Sequence, residues 1–369
     1  MTLQLVTAGE SHGPALVAIL SGLPAGLRLD RDAIESDLER RREGYGRSPR
    51  QKLEQDEVEV LAGLRHGATL GTPLALVVRN RDHRNWASGM SPWPSAHAPT
   101  GKGTSPVTLP RPGHADLAGS LKFGHADVRN ALERASARQT AVQVAAGAVA
   151  KALLREIAIS VAGRVLEIGG ESTEEGWRSA TDAARSDRDT LGGVVEVTAG
   201  GVPPGLGSYA DKADRLDARL AAALMGIQAV KGVEIGDGFA LARTRGSEAH
   251  DEIEPDRRRA TNRAGGIEGG ITNGEPVVVR AAMKPLPTLM RPLRSVDLAS
   301  GEPGQALVER SDVQAVEALA VVAEAAVAWE LARAATEKYG GDALVDFVAA
   351  HAAYLERIAW PRTRREPPP

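Results

Sequence analysis

The chain has 369 residues, 42% of them hydrophobic and 25% charged, which is enough apolar material for a sizeable core and unlike a disordered chain. A formal net charge of -3 and 3% aromatic residues exclude a general basic excess for nucleic acid and leave few platforms for stacked bases. The absence of cysteine excludes disulfides, thiolate nucleophiles and cysteine-ligated metals, and fits a reducing cytoplasm. Residues 1–20 lack a basic segment followed by a long apolar run, because Glu10, Ser11 and His12 interrupt it. No stretch approaches the ~20 consecutive apolar residues of a membrane span. The expectation is therefore a cytoplasmic protein with neither a membrane nor a nucleic acid as partner.

Short β-like runs come first, at residues 3–7, 16–20, 58–61 and 74–78. Residues 30–42 read as an amphipathic helix, with Asp30 as N-cap and Ile34 and Leu38 on one face. A Pro/Gly/Ser/Thr-rich stretch at 88–106 reads as a long loop. Residues 130–157 form the longest helical pattern, so rich in Ala, Val and Leu that burial on most sides is expected. The second half follows with a strand at 194–198, a helix at 211–225, a strand at 277–283, an Ala/Val-rich helix at 312–337 and a last helix at 342–357. Residues 361–369 read as a flexible Arg/Pro tail.

Fragments recur in the same order in the two halves. Val6-Thr7-Ala8-Gly9 returns as Val197-Thr198-Ala199-Gly200, and Gly67-x-Thr69-x-Gly71-x-Pro73 as Gly270-x-Thr272-x-Gly274-x-Pro276. Glu133-Arg134 and Glu309-Arg310 each open an Ala-rich helix. This order predicts one domain over 1–360 with diverged halves near 1–150 and 190–335, related by a pseudo-twofold, rather than two independent domains.

Gly9-Glu10-Ser11-His12-Gly13 follows a strand, and its glycines allow a sharp turn and close approach of a ligand. Alone, this turn reads equally well as a polar tip or as a catalytic histidine. On an extended segment Ser11 and His12 would point to opposite faces, which argues against His12 serving Ser11 as base. Arg111-Pro112-Gly113-His114-Ala115-Asp116 supplies a second loop histidine, and two such groups can move protons near neutrality. Metal ligation is not expected, since no His-x-His or His-x-x-x-His pair exists. The helix dipole accounts for Arg40, Arg41 and Arg42, but not for Arg47 and Arg50 in the glycine loop beyond them. Guanidinium groups bind carboxylate and phosphate in bidentate fashion, so these arginines, with Arg111, Arg134, Arg138 and Arg310, suit a small anionic substrate. The loop at 265–274 meets neither the Walker A nor the dinucleotide spacing, and Lys284-Pro285-Leu286-Pro287-Thr288 offers a cation and backbone donors to an anion.

Together these segments resemble the chorismate synthase family over nearly the whole chain. The resemblance rests on Ala8 to Gly13, Gly44-Tyr45-Gly46-Arg47, Arg111 to Asp116, Glu133-Arg134-Ala135-Ser136-Ala137-Arg138, Gln228-Ala229-Val230-Lys231-Gly232, the Gly-Gly loop at 265–270, Lys284-Pro285 with Thr288, and Arg310-Ser311-Asp312. It implies an α/β (α+β) fold, a β-α-β sandwich with helices packed between antiparallel sheets, in a homotetramer. It implies a carbon–oxygen lyase that ends the shikimate pathway of aromatic amino acid biosynthesis. That reaction is the anti-1,4-elimination of phosphate from 5-enolpyruvylshikimate-3-phosphate, giving chorismate, with reduced FMN (FMNH2) and no net redox change.

The resemblance also carries roles to residues. His12 is similar to the acid at the reduced flavin, His114 to the one facing the departing phosphate, and Asp312 to the base that takes the ring proton. Ser11 and Ser136 resemble serines of the proton relay. FMN contacts are implied at Arg134, Ala135, Ser136, Gln228, Ala229, Gly269, Arg310 and the run Lys284, Pro285, Leu286, Pro287, Thr288. Arg41 and Arg47 match positions associated with NADP(H); Arg47, Arg50, Arg111 and Arg138 are expected to grip the substrate. Gln139 stands where the family commonly has Glu, and Ser311 where many members have His. No flavin-reductase segment is recognised at 340–369, so a separate flavin reductase, with NADPH as indirect reductant, is implied. A flavin-independent phosphate-ester lyase and an RNA- or anion-binding protein using Arg40–Arg50 are the alternative readings.

Overall fold

The structure, a computed structural model, describes residues 2–48, 54–94, 100–308 and 312–359; Arg50, Arg310, Ser311 and the tail lie outside the described residues. Strands β1 (Gln4–Ala8) and β2 (Ala15–Ser21) pair antiparallel, with Ala8 opposite Val17. In β2 the side chains alternate, Leu16, Ala18 and Leu20 fully buried and Ile19 outward, as a sheet with one covered face requires. Helix α1 (Arg31–Arg42) is capped as expected, the Asp30 carboxylate accepting from the Asp32 N–H at 3.0 Å. Then come β3 (Val58–Ala62), the hairpin β4 (Leu64–Arg65) and β5 (Ala68–Thr69), and β6 (Leu74–Arg79). The sheet order is β1-β2-β6-β3.

Helix α2 (Asp116–Phe123) leads to a helical stretch that the sequence pattern reads as continuous but that is broken. It consists of α3 (Arg129–Ala135), a 3-10 turn at Ala137–Gln139 and α4 (Thr140–Arg155). Ser136 is extended (ψ 142°), and its hydroxyl caps the turn by accepting from the Arg138 N–H.

The second half builds β7 (Ser160–Ile168), α5 (Glu174–Ser186), β8 (Gly193–Gly200), α6 (Leu216–Met225) and β9 (Val230–Ile235). It continues through the hairpin β10 (Ile267–Glu268) and β11 (Ile271–Thr272), then β12 (Val277–Met283). A small hairpin follows, β13 (Arg294–Val296) with β14 (Pro303–Gln305), then α7 (Val316–Tyr339) and α8 (Leu344–Ile358). The second sheet has the order β7-β8-β12-β9, the same arrangement as the first. Helices α6 and α7 begin several residues later than the composition suggests. The Asp211 carboxylate instead accepts from the Ala213 N–H, and Asp312 accepts from the Ser48 N–H.

Helix α4 packs on β2 and β6, α7 packs on β7 and β8, and the two helices pack on each other, so the molecule is a β-α-β sandwich with antiparallel sheets outside. Both helices are buried on most sides. They pack tightly at Gly147, where any side chain would enter the space of Ala325, whose Cα would lie 2.6 Å from an added Cβ. A polar node also joins the layers: Glu324 of α7 accepts from Arg40 of α1 at 2.9 and 3.0 Å, from Lys151 of α4 at 2.6 Å and from the Gly163 N–H of β7 at 2.9 Å.

The repeat is visible at atomic level. The Thr69 hydroxyl donates to the Pro24 carbonyl (2.6 Å) and accepts from the Leu27 N–H (2.9 Å); Thr272 makes the same bonds to Pro203 (2.7 Å) and Leu206 (2.8 Å). The Gly67–Pro73 and Gly270–Pro276 match is thus a structural equivalence. The Val6–Gly9 and Val197–Gly200 match is not, because β1 and β7 are edge strands, whereas β8 sits second in its sheet, as β2 does in the first. By position in the two sheets, β1 and β7 correspond, as do β2 and β8.

Candidate active site

Loops from both halves converge on one cleft of about 530 Å³. It is lined by the 9–14 turn, the end of α1 with Arg47 and Ser48, the 111–115 loop, the break between α3 and α4, the segments 227–229 and 283–288, and Asp312. Helices α4 and α7 both begin there, Thr140 and Ala315 lying in its wall. Helix N-termini favour anions.

Residues 9–14 form a turn rather than an extended segment, so the expected opposition of Ser11 and His12 does not hold and both line the cleft. Gly9 has φ +113°, and a side chain there would collide with the Ala15 carbonyl, so the turn requires glycine. The His12 ring is buried. Its Nδ1 lies 2.9 and 3.0 Å from the two Glu133 carboxylate oxygens, and its backbone N–H donates to Glu133 Oε2 at 2.8 Å. Trp86 stacks on the imidazole at 4.0 Å between centroids and 21° between planes. The Ser136 hydroxyl donates to Ser11 Oγ at 3.2 Å.

His114 meets the same kind of partner. Its Nδ1 is bonded to Asp116, a carboxylate without solvent exposure that also accepts from Arg111 Nε at 2.8 Å and from the Arg111 backbone N–H at 3.0 Å. Burial alone would raise the Asp116 carboxyl, but the hydrogen bonds from His114 and Arg111 hold it well below its usual range. Arg111 reaches on to the Thr288 hydroxyl at 2.9 Å, which fixes the loop after β12 against the 111–116 loop. Lys284 donates to the Gly113 carbonyl at 2.6 Å; burial, and then the Lys231 charge, pull its ammonium below the usual range.

The arginines form a third group. Arg138 pairs with Asp56, reaches Glu54 at 3.4 Å and donates to Asn80 Oδ1 at 2.9 Å. Arg41 donates to the Thr140 hydroxyl at 2.8 Å and to Asp56 at 3.3 Å, and Arg47 pairs with Asp312 at 3.2 Å. Burial pulls Arg41 below the ordinary arginine value; Asp56 offsets this in part, while Arg138 and Arg47 add to it. A bound anion would relieve that crowding. Arg40 is engaged by Asp37 and Glu324, and Arg42 by the Glu54 carbonyl.

The remaining wall is apolar, made by Leu132, Ile227, Met283, Leu286, Leu319 and Val322 beside Gln228 and Ala229. The Gln228 Oε1 atom is buried without a hydrogen-bond partner, and Ala229 takes a left-handed backbone (φ +69°). An apolar slot with an unfilled amide acceptor and Lys284 close by fits a flat conjugated ring bearing N–H donors and a phosphate.

The structure thus brings together His12, His114, Asp312, Ser11, Ser136, Ala135, Gln228, Ala229, Lys284, Leu286, Pro287, Thr288, Arg41, Arg47, Arg111 and Arg138. It does not bring Arg134 there: that guanidinium is turned to the β1 edge, on the Thr7 carbonyl at 2.9 Å and the Gly9 carbonyl at 3.2 Å, with Gln139 beside it. Gly269 lies in the exposed β10–β11 turn, and Pro285 is not in the cleft wall. Unanticipated from sequence are Glu133, Asp116 and Trp86 behind the histidines, and Glu54 and Asp56 behind the arginines. Among the described residues no group of three or more metal-ligating side chains comes together, and no helix is long and apolar enough to cross a membrane.

A β-α-β sandwich whose two halves close on a cleft of arginines, carboxylate-backed histidines and an apolar wall has the build of an enzyme with one central site. The profile of the family described as chorismate synthase matches residues 3–336. A chorismate synthase of Desulforudis audaxviator is 53% identical over 386 residues, covering 96% of this chain and 98% of that protein. One of Salinispora tropica is 53% identical over 388 residues, covering 96% and 99%. A crystal structure of chorismate synthase superposes with a TM-score of 0.77 at 37% identity, covering 97% of this chain and 99% of the other. The chain belongs to the chorismate synthase family.

Proposed function

We propose that this cleft binds 5-enolpyruvylshikimate-3-phosphate and eliminates its phosphate in the anti-1,4 sense, giving chorismate as a carbon–oxygen lyase. The allylic C–O bond to phosphate and a ring C–H bond break, a second ring double bond forms, and phosphate and a proton leave, with no net redox change. The observation that carries this reading is the meeting of His12, His114 and Asp312 with Arg41, Arg47, Arg111 and Arg138 in one cleft. The substrate's two carboxylates and phosphate match that arginine supply, and guanidinium forks orient such groups. His114, held by Asp116, directs its remaining nitrogen to the departing phosphate and gives it a proton. Asp312, kept in place by Arg47 and the Ser48 N–H, accepts the ring proton. His12 carries the second proton of the site, with Ser11 and Ser136 linked beside it.

The apolar slot with Gln228, Ala229, Lys284 and Thr288 would hold reduced FMN, whose electron-rich ring supplies electron density that weakens the allylic C–O bond. Ala135 and Ser136 flank that slot. Arg134 and Gly269 would join it only through a contact beyond the single cleft, and Arg310 lies outside the described residues. A homotetramer in the cytoplasm, supplied with reduced FMN by a separate reductase drawing on NADPH, completes the proposal. Its test is an anaerobic assay with reduced FMN and 5-enolpyruvylshikimate-3-phosphate. Chorismate and inorganic phosphate released in equal amounts are expected; phosphate released without chorismate would overturn it.

A further inference from the structure

The two histidines are each backed by a buried carboxylate, but the two carboxylates are not equally committed. Asp116 divides its charge between His114 and Arg111, which meets it through Nε at 2.8 Å and a terminal nitrogen at 3.2 Å. That same terminal nitrogen is 3.3 Å from His114 Nδ1, so a cation stands against the imidazole as well. Glu133 directs both oxygens to His12, and its nearest cation, Arg129, stands off at 3.6 Å with Nε and a terminal nitrogen making no hydrogen bond. The negative charge facing His12 is therefore compensated far less than the one facing His114.

We propose that Glu133 is the positioning residue of His12: it fixes the imidazole with Nδ1 protonated and Nε2 toward the cleft. A carboxylate only accepts, so the nitrogen between its two oxygens must carry the proton. His12 lines the cleft with Nδ1 on Glu133, which leaves Nε2 as the nitrogen available to a bound molecule. The ring cannot drift from that pose. Trp86 covers one face and is held by Asp82 through its indole N–H at 3.0 Å, while His83 Nδ1 contacts the His12 carbonyl at 2.9 Å. The Ser11 N–H donates to the Glu133 carbonyl at 3.1 Å, so main chain and side chain of Glu133 grip the turn together. Burial favours the protonated acid, but the hydrogen bonds and charge of His12, then Arg129, hold the Glu133 carboxyl below its usual range. The other charged or titratable groups around the pair are Glu10 in the same turn, and Arg129 and Lys102 over the Trp86 ring. None replaces the carboxylate at Nδ1.

The inference rests on His12 being the proton-carrying group of the proposed reaction, and the test separates the two. The His12 Cε1–H resonance, identified by its loss in His12→Gln, is titrated in the ligand-free protein. In Glu133→Gln, which keeps the shape and removes the charge, the midpoint is expected to fall by about one pH unit or more. In Arg129→Gln, which leaves Glu133 less compensated, it is expected to rise. A folded Glu133→Gln protein with an unmoved midpoint overturns the proposal; if that variant does not fold, an unmoved midpoint in Arg129→Gln does so. In turnover, Glu133→Gln should lose about 10–100-fold in kcat with little change in KM, and the alkaline limb of its pH profile should move to lower pH. A wild-type protein inactive on the substrate would remove the functional reading, and the resonance would still decide on Glu133.

Discussion

At the scale of single residues, the cleft shows which side chains act alone and which act through another. His12 and His114 face the cavity and are expected to lose about 10²–10⁴-fold in kcat as His12→Ala and His114→Ala, the usual scale for a general acid or base. Near-wild-type turnover in either would take that histidine out of the chemistry. Arg47 carries two tasks, because it lines the cleft and also pairs with Asp312 at 3.2 Å. Arg47→Ala should therefore raise KM and lower kcat together; a rise in KM alone would mean that Asp312 does not depend on its partner. The histidines and arginines were legible because each sits in a local pattern of glycine, proline and charge. The partner of His12 was not legible, because Glu133 lies 121 positions away and only the folded chain joins them. Glu133 and Asp116 stood in view inside the quoted motifs, with no local sign that they back a histidine.

At the scale of elements, the strands read correctly from sequence are those with a short continuous apolar run, such as β2 and β6. Besides the short hairpins, the strands missed are β7 and β9, the edges of the second sheet, where glycine, lysine and glutamate weaken the β pattern. The helical composition at 130–157 could not show its break, since alanine, arginine and serine are compatible with an unbroken helix. The break follows from Ser136 capping the next turn, and it places Ser136, Arg138 and Thr140 in the cleft. Helices α4 and α7 meet at Gly147, where glycine sits in a helix interior although alanine would favour the helix by about 1 kcal/mol. The tertiary contact wins: Gly147→Ala should destabilise the protein by about 1–3 kcal/mol through overpacking against Ala325. Urea unfolding measures this, and an unchanged or raised midpoint would show that the helices can move apart freely.

At the scale of the whole molecule, the two halves contribute different walls to one cleft, so fold and site share their buried charges. Asp116 and Glu133 sit in the cleft lining or just behind it, and Glu324 ties α7 to α1, α4 and β7. For all three, burial pushes the carboxyl up, yet hydrogen bonds to histidine, arginine or lysine prevail and hold it below its ordinary value. In the unfolded chain these groups titrate near ~4. A carboxyl with a depressed folded value stabilises the native state above the unfolded value, and that contribution is lost as pH falls through the folded one. The urea midpoint should therefore hold from about pH 7 to about pH 5 and drop steeply below about pH 4. Glu324→Gln, which cannot take up that proton, should start from a lower midpoint and fall less steeply; identical slopes in the two proteins would remove Glu324 from the acid response. Binding of an anion in the cleft should decline over the same range, because protonating Asp116 and Glu133 releases the arginine and histidine geometry that receives it.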